Sequence, residues 1–280
     1  MKLLSMKIIF ALVPILFFTS NTLCQSVPKI TSDSNFSIGR KLEFHSDVLS
    51  ENRQLNIYLP LSYQSDSSKI YPVIYLLDGS MDEDFIHISG LVQFGSFSWI
   101  NLLPESIVVG IANVDRKRDF TSPSQNELDL KELPTSGKSA NFIQFLEKEV
   151  QTLIDKTFRT TQEKTIIGQS LGGLLATEIL FTKPDLFDNY IIVSPSLWWN
   201  DKKLLKEKPI PYESKKSIYI AVGKEGEMME KPAKQLFDLL NENKKEHTNV
   251  FFEFLEDKNH GDALHIAVYN AFEMIFGKKE

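Results

Sequence analysis

A serine between glycines is the feature of the chain that points most directly to chemistry. Residues 164–174 read KTIIGQSLGGL, in which Gly168, Ser170 and Gly172 form a G-x-S-x-G pentapeptide. An apolar strand is expected before it and an apolar helix after it. The backbone of such a strand–turn–helix bends sharply, and larger side chains two residues from the serine would collide. The pattern therefore predicts that Ser170 is a nucleophile raised above the carboxyl edge of a sheet.

Two other interpretations of the pentapeptide lead away from catalysis. One is a tight glycine-rich turn in which the serine takes no part in chemistry. The other is a phosphate-binding loop, which is disfavoured because no Lys-Ser or Lys-Thr pair follows the glycines.

A serine nucleophile needs a general base, and imidazole is the usual one. The chain has five histidines, at positions 45, 87, 247, 260 and 265. His260 lies in the sequence NHGD, after the last predicted strand and directly before the last predicted helix. A loop there returns to the sheet edge, and the order serine, acid, histidine fits this architecture. We therefore expect His260 to be the base; the alternative is a surface-loop histidine.

The acid that orients the imidazole is expected after the strand predicted at residues 217–222. The next residues read GKEGEM, so Glu225 and Glu227 are both candidates. Glu225 is preferred because it is nearer the strand end and a glycine follows it. Two alternatives stay open: Glu227 as the acid, or a Ser–His dyad in which both glutamates are solvated.

An acyl-transfer site also needs two backbone N–H donors for the tetrahedral oxyanion. The residue after the nucleophile, Leu171, is expected to supply one of them. The other is expected from the loop after the third strand, at Gly79 or Ser80, where glycine lets the backbone approach a substrate.

Two further groups of residues follow strand ends and are candidates for substrate binding. Trp198 and Trp199 would wall an aromatic or acyl site, the alternative being ordinary packing of one Trp with the other partly exposed. Arg116 and Arg118 follow the fourth strand and are suited to an anionic substrate group. The favoured interpretation of these arginines is an internal pair with Asp119 that holds the loop.

The elements that must position these residues alternate between strands and helices. Strands are predicted at residues 40–49, 53–59, 72–77, 106–112, 164–167, 190–193, 217–222 and 250–255. Helices are predicted at residues 138–156, 171–181, 232–243 and 263–276. This pattern predicts an α/β fold: a mostly parallel eight-stranded sheet with helices on both faces, opened by an antiparallel hairpin. No internal repeat or linker divides it, so residues 39–280 are expected to form one domain after a mobile lead-in at residues 25–38.

The first 24 residues are typical of a secretory signal peptide. Lys2 and Lys7 precede an apolar run at residues 8–18, which is too short to span a bilayer. Cleavage after Cys24 is expected, which makes the protein periplasmic or secreted; the alternatives are lipidation of Cys24 and a buried N-terminal helix. The chain has 280 residues, 31 Lys and Arg and 37 Asp and Glu. Removing 24 residues with two Lys leaves 256 residues, a charge of 29 − 37 = −8 and no cysteine.

Composition excludes several classes of function. A hydrophobic fraction of 42% and a charged fraction of 24% are ordinary for a globular protein. A net charge of −6 without a long basic run argues against a nucleic-acid partner. One cysteine excludes a disulfide scaffold and a Cys-based zinc site. We expect neither a metal nor another cofactor, and the oligomeric state is left open.

The segments IYLPLSY, YPVIYLLDG, VVGIANVDRKRDFTSP, IIGQSLGG, SPSLWW and NHGD occur in this order. Together they resemble the "Putative esterase" (esterase D-like) family of α/β-hydrolases, near the bacterial siderophore-type esterases. The resemblance implies an α/β-hydrolase fold, with Ser170 as nucleophile, His260 as base and Glu225 or Glu227 as acid. The family includes siderophore, feruloyl and acetyl-xylan esterases, S-formylglutathione hydrolases and some mycolyltransferases.

These observations together predict an exported serine hydrolase that acts on small carboxylic esters through an acyl-enzyme. An acyltransferase working at the same site and a non-catalytic binding protein with a hydrolase fold are the alternatives. The acidic mature chain weakly disfavours a highly charged siderophore.

Overall fold

The computed structural model describes residues 27–277. The predicted signal peptide, residues 1–24, lies outside the described residues, and residues 27–39 form no regular helix or strand. The strands are β1 Arg40–Ser46, β2 Glu51–Tyr58, β3 Tyr71–Leu76, β4 Ile107–Ile111, β5 Thr160–Gln169, β6 Asn189–Val193, β7 Lys216–Gly223 and β8 Thr248–Leu255.

Ten α-helices lie between and after the strands of the described residues. They are α1 Ser62–Ser65, α2 Phe85–Gly95, α3 Arg116–Phe120, α4 Glu127–Glu132, α5 Ser139–Phe145, α6 Gln151–Thr157, α7 Leu171–Thr182, α8 Trp199–Lys202, α9 Glu227–Glu242 and α10 Ala263–Phe276. A π-helical turn, Leu146–Val150, joins α5 to α6, so the two follow one another without a loop. No helix of the described residues is long and apolar enough to cross a membrane.

All eight strands form one sheet in the order β1-β2-β4-β3-β5-β6-β7-β8. The pairs β1–β2 and β2–β4 are antiparallel, and every other pair is parallel. This confirms the predicted eight-stranded, mostly parallel sheet that opens with an antiparallel hairpin. Because β3 and β5 to β8 run in the same direction, the segments after them all emerge at one edge.

The central strands are apolar throughout because both faces of the sheet are covered. One face packs against α5, α6, α7 and α9 through residues such as Tyr75, Ile166 and Ile220. The other packs against α2 and α10 through residues such as Ile74, Ile167 and Ile191. Helix α7 is buried on nearly every side, as its uniformly apolar sequence predicts.

Two of the helices longer than six residues differ from the prediction, and the four shorter helices, α1, α3, α4 and α8, were not predicted. Helix α2 was not predicted, because Gly90 and the β-branched residues around it weaken the helical signal of its apolar face. Helix α9 begins at Glu227, five residues before the predicted start at Pro232. The proline removes one internal hydrogen bond but does not end the helix, whose apolar side packs against β7 and β8.

Arg53 on β2, the second strand of the sheet, ties that strand to helix α3, which follows β4. Its guanidinium has no exposed surface and donates to Glu51 Oε1 and Asp119 Oδ2, each at 2.8 Å. It also lies 5.3 Å from the centre of the Phe142 ring and 5.2 Å from that of Phe145. The Asp119 side chain is 1% exposed, so its charge depends on neighbouring guanidinium groups.

We expect Arg53→Met to lower the free energy of unfolding by about 3 kcal/mol, because a buried carboxylate loses a partner. The matched control is Lys41→Met on β1, whose ion pair with Glu43 is exposed and should change stability by less than about 0.5 kcal/mol. Urea denaturation of both variants measures the difference. Equal stabilities for the two variants would contradict this role for Arg53.

Candidate active site

Ser170 lies at the junction of β5 and α7 in a strained backbone conformation. Its φ is 59° and its ψ −120°, which residues other than glycine rarely adopt. A Cβ added at Gly168 would come within 3.0 Å of the Gly172 carbonyl oxygen, so the turn requires glycine there. Ser170 N–H donates to the Val193 carbonyl of β6 at 3.1 Å, which anchors the turn to the neighbouring strand.

Glu225, in the loop after β7, is brought to His260, in the loop after β8. Glu225 Oε2 lies 2.5 Å from His260 Nδ1, and the Glu225 side chain is 3% exposed whereas that of His260 is 47% exposed. Its other oxygen, Oε1, accepts hydrogen bonds from Ser194 Oγ and from Gly223 N–H. Gln169 Nε2 donates to the His260 carbonyl at 2.5 Å, which ties this loop to the end of β5.

Burial by itself would raise the pKa of Glu225. The hydrogen bonds from His260 and Ser194 outweigh burial, and the pKa of this carboxyl lies below its ordinary value. An ionised acid that holds Nδ1 leaves the other ring nitrogen, Nε2, for the serine. Glu227 does not share this position: it begins α9, is 80% exposed and pairs with Lys231.

Ser170 and His260 line two cavities that meet at these two side chains. The charged cavity, of about 390 Å³, also contains Asp78, Glu83, Asp84, Arg116 and Gln169. The aromatic cavity, of about 470 Å³, also contains Ser196, Trp198, Lys224, Glu225, Met229 and Asn259. A substrate with its reacting carbonyl at Ser170 has space on both sides of that group.

The two candidates for the second oxyanion donor differ in their present partners. Gly79 N–H donates to the Ile111 carbonyl at 3.0 Å. The Gly79 backbone also lies so close to that of Gly110 that a Cβ at Gly79 would collide with it. Ser80 N–H donates to the carboxylate of Glu83 at 3.2 Å, an exposed side chain that also accepts from Asn113 Nδ2. A side-chain acceptor at the surface is displaced more easily than a strand carbonyl. This geometry favours Ser80 over Gly79. The other candidate donor, Leu171, is the first residue of α7, where helix N–H groups have no partner within the helix.

Of the four residues predicted as candidates for substrate binding, two line one of these cavities and two do not. Trp198 lines the aromatic cavity, whereas Trp199 is 2% exposed and donates through Nε1 to the Ser122 carbonyl. Arg118 does not line either cavity: it donates to both oxygens of Glu51 and to Asp119. This places it in the internal Arg–Asp pair that the sequence favoured.

Arg116, by contrast, lines the charged cavity. Its Nε and Nη2 donate to the two oxygens of Asp78 at 2.6 and 2.8 Å, and Nη2 also reaches the Gln169 carbonyl at 3.2 Å. This bidentate pair joins the segments after β3 and β4 to the end of β5, beside Ser170.

The sequence assigned no role to Asp78, Gln169, Ser194 or Ser196, although all four lie in the site. Each occupies one of the first three positions after a predicted strand. Proximity to a strand end is therefore the signal that could have found them. Within residues 27–277 no group of three or more His, Cys, Asp or Glu side chains is placed to hold a metal ion.

Asp84 is a half-buried carboxyl group in the charged cavity. The pKa of Asp84 is raised to about 6, mainly by burial and also by the charges of Asp78 and Glu83. The charges of His87 and Arg116 act in the opposite direction. In the unfolded chain the pKa of this group is near its ordinary value of 3.8. The folded state therefore holds the proton more tightly, and the stability that this contributes is lost as the pH rises through about 6.

We expect Asp84→Asn to raise the thermal unfolding midpoint, by a few degrees at about pH 7.5 and by less at about pH 4.5, because the ionised form is the one that costs stability. The control is Asp82→Asn, an exposed neighbour, which should produce no such pH-dependent gain. Thermal melts of both variants across this pH range make the comparison. A gain that is equal at both pH values would contradict the assignment.

Comparison with known proteins places the chain in a family. The family model described as "Putative esterase" matches residues 46–266. The ferri-bacillibactin esterase BesA of Bacillus subtilis is 33% identical over 170 residues, which are 56% of this chain and 58% of that protein. The chain thus matches less than two thirds of that relative's length.

Two solved structures are also similar. An IroE-like serine hydrolase from Shewanella oneidensis has a TM-score of 0.77 and 27% identity, covering 85% of this chain and 80% of that one. The BES protein from Bacillus cereus has a TM-score of 0.77 and 26% identity, covering 91% of this chain and 100% of that one. With the family model matching most of its length, the chain belongs to the "Putative esterase" family.

Proposed function

We propose that this protein is an exported serine hydrolase that cleaves carboxylic esters through an acyl-enzyme. The observation that carries the proposal is the hydrogen bond of a buried glutamate, Glu225, to His260, with that histidine lining the same two cavities as Ser170. The strained backbone of Ser170 supports it, because this conformation presents the hydroxyl at the open edge of the sheet.

In the proposed reaction, His260 takes the proton of Ser170 as the hydroxyl oxygen attacks the ester carbonyl. Glu225 keeps Nδ1 protonated and stabilises the imidazolium that forms. The N–H groups of Leu171 and Ser80 receive the oxyanion once the Glu83 carboxylate has moved aside. The imidazolium then gives its proton to the leaving alcohol, and Ser170 is left as an acyl ester.

Deacylation reverses these roles with water as the nucleophile. His260 takes a proton from water, the hydroxide attacks the acyl carbonyl, and Ser170 leaves with the proton that His260 returns. The half-exposed position of His260 gives water access to it.

Two features bear on the substrate. The aromatic cavity, with Trp198 and Met229 in its wall, suits an apolar or aromatic part of the ester. The charged cavity suits a polar part on the other side of the scissile bond. Since one relative is named a ferri-bacillibactin esterase, siderophore esters are the class of substrate to examine first.

We expect Ser170→Ala to lower kcat for p-nitrophenyl acetate by at least about 10³-fold and to abolish labelling by a fluorophosphonate. The reason is that the variant has no hydroxyl from which to form the acyl-enzyme. Ser98→Ala, an exposed serine in the loop after α2, should keep both activities. Hydrolysis or labelling that persists in the Ser170 variant would contradict the proposal.

Export concerns residues 1–24 and can be tested separately. Expressed from its full gene in a bacterium, the protein should appear in the periplasm or medium with Gln25 at its N-terminus and, because Cys24 is lost, no thiol. Intact mass and maleimide labelling measure both properties, and deletion of residues 2–24 should keep the chain inside the cell. A full-length chain in the cytoplasm, or a fatty-acylated Cys24 in the membrane fraction, would contradict cleavage after this residue.

A further inference from the structure

Ser196 places a second hydroxyl group beside the nucleophile. Ser196 Oγ lies 3.3 Å from Ser170 Oγ, and Ser196 as a whole is 2% exposed. Among the described residues, Ser170 is the hydrogen-bond partner of this buried hydroxyl. The mechanism above gives it no role.

The backbone holds the two serines together. Ser196 N–H donates to the Ser170 carbonyl at 3.0 Å, and Ser170 N–H donates to the Val193 carbonyl at 3.1 Å. Pro195 precedes Ser196, and its ring restricts the local backbone. A Cβ at Gly173 would lie 3.0 Å from the Pro195 Cα, so this segment packs directly on the first turn of α7. The distance between the hydroxyls is therefore set by the main chain.

The same segment also supports the acid. Ser194 has a φ of 43°, and its N–H donates to the Ala221 carbonyl of β7 at 2.7 Å. In this position its hydroxyl donates to Glu225 Oε1. Residues 194–196 thus direct one hydroxyl to the acid and another to the nucleophile.

The chemistry of attack decides the direction of the hydrogen bond between the serines. Each hydroxyl has one proton to donate and lone pairs with which to accept. When the proton of Ser170 moves to His260, Ser170 has none left for Ser196. The bond between the two oxygens then runs from Ser196 to Ser170.

We propose that Ser196 is a further catalytic residue, whose hydroxyl donates a hydrogen bond to Ser170 Oγ while that oxygen carries negative charge. The inference rests on the proposed function, because it requires Ser170 to be the nucleophile. Charge develops on Ser170 Oγ as it attacks the carbonyl, and again when the acyl bond to it breaks. Ser196 therefore assists both acylation and deacylation, and it keeps its own proton throughout.

The test is Ser196→Ala, which removes the donor without adding bulk. Its rate constant for inactivation by a fluorophosphonate should fall about tenfold, since loss of a hydrogen bond to a charged group costs at least that much. For p-nitrophenyl acetate, kcat should fall by a similar factor while KM changes little, because the bond strengthens only as charge forms.

Ser89→Ala is the matched control. Ser89 is 1% exposed and lies on α2, where its hydroxyl has no hydrogen-bond partner among the described residues. The same substitution there tests whether losing any buried hydroxyl slows the reaction, and wild-type rates are expected. Ser196→Thr, which keeps a hydroxyl, should recover most of the rate lost in Ser196→Ala.

The outcomes separate this inference from the function on which it rests. If the wild type is labelled at Ser170 and Ser196→Ala reacts as fast as the wild type or faster, the role of Ser196 is wrong and the proposed function stands. If the wild type is not labelled, both fall. Should Ser196→Ala fail to fold, Ser196→Cys retains the size but donates weakly, and an unchanged rate in that variant would equally overturn the role.

Discussion

The turn at Ser170 is the constraint on which the rest of the site depends. A serine at φ 59° is unfavourable by itself and persists only where the surroundings hold it. Here the turn is held by a hydrogen bond to β6, by the missing side chain at Gly168 and by the first turn of α7. The strain has a chemical consequence, because it places the hydroxyl at the edge where the other parallel strands also end.

The site is then completed by loops that follow neighbouring strands. Segments after β3, β6, β7 and β8 supply Ser80, Ser196, Glu225 and His260 respectively. Hydrogen bonds between these loops, such as those of Ser194 with Glu225 and Gln169 with His260, hold them to one another. A buried carboxylate is costly unless its oxygens are bonded, and both oxygens of Glu225 are. The Glu225 carboxylate is thereby kept ionised and bonded to the His260 imidazole.

The charged cavity contains side chains of both signs. Arg116 and Asp78 neutralise each other, so the remaining charge in the lining of this cavity comes mainly from the carboxyl groups of Glu83 and Asp84. Of the two arginines that the sequence proposed for substrate binding, Arg116, beside Ser170, is therefore already paired with a carboxylate. The other, Arg118, stabilises the loop after β4 through Glu51 and Asp119.

Much of the architecture could be predicted because its signals are local. Continuous apolar runs mark strands covered on both faces, and the periodicity of α10 and of the helical stretch from α5 to α6 is strong enough to place them closely. Signals that tertiary packing overrides were less informative. Pro232 predicted a helix start, yet it lies inside α9. The glycines of α2 weakened its helical pattern, although this helix packs on the sheet and on α10.

The sequence alone determined which residues are the candidates for nucleophile and base, because a serine in a G-x-S-x-G turn and a histidine before the last helix are readable from residue order. Only the tertiary structure decided between residues that order leaves equivalent. Glu225 and Glu227 are two positions apart, but one is buried against the imidazole and the other begins an exposed helix. Trp198 and Trp199 are adjacent, but Trp198 lines the aromatic cavity beside Ser170, whereas Trp199 is buried and does not line that cavity. These choices depend on the direction in which a side chain leaves its loop, and that direction is set by packing between segments far apart in the chain.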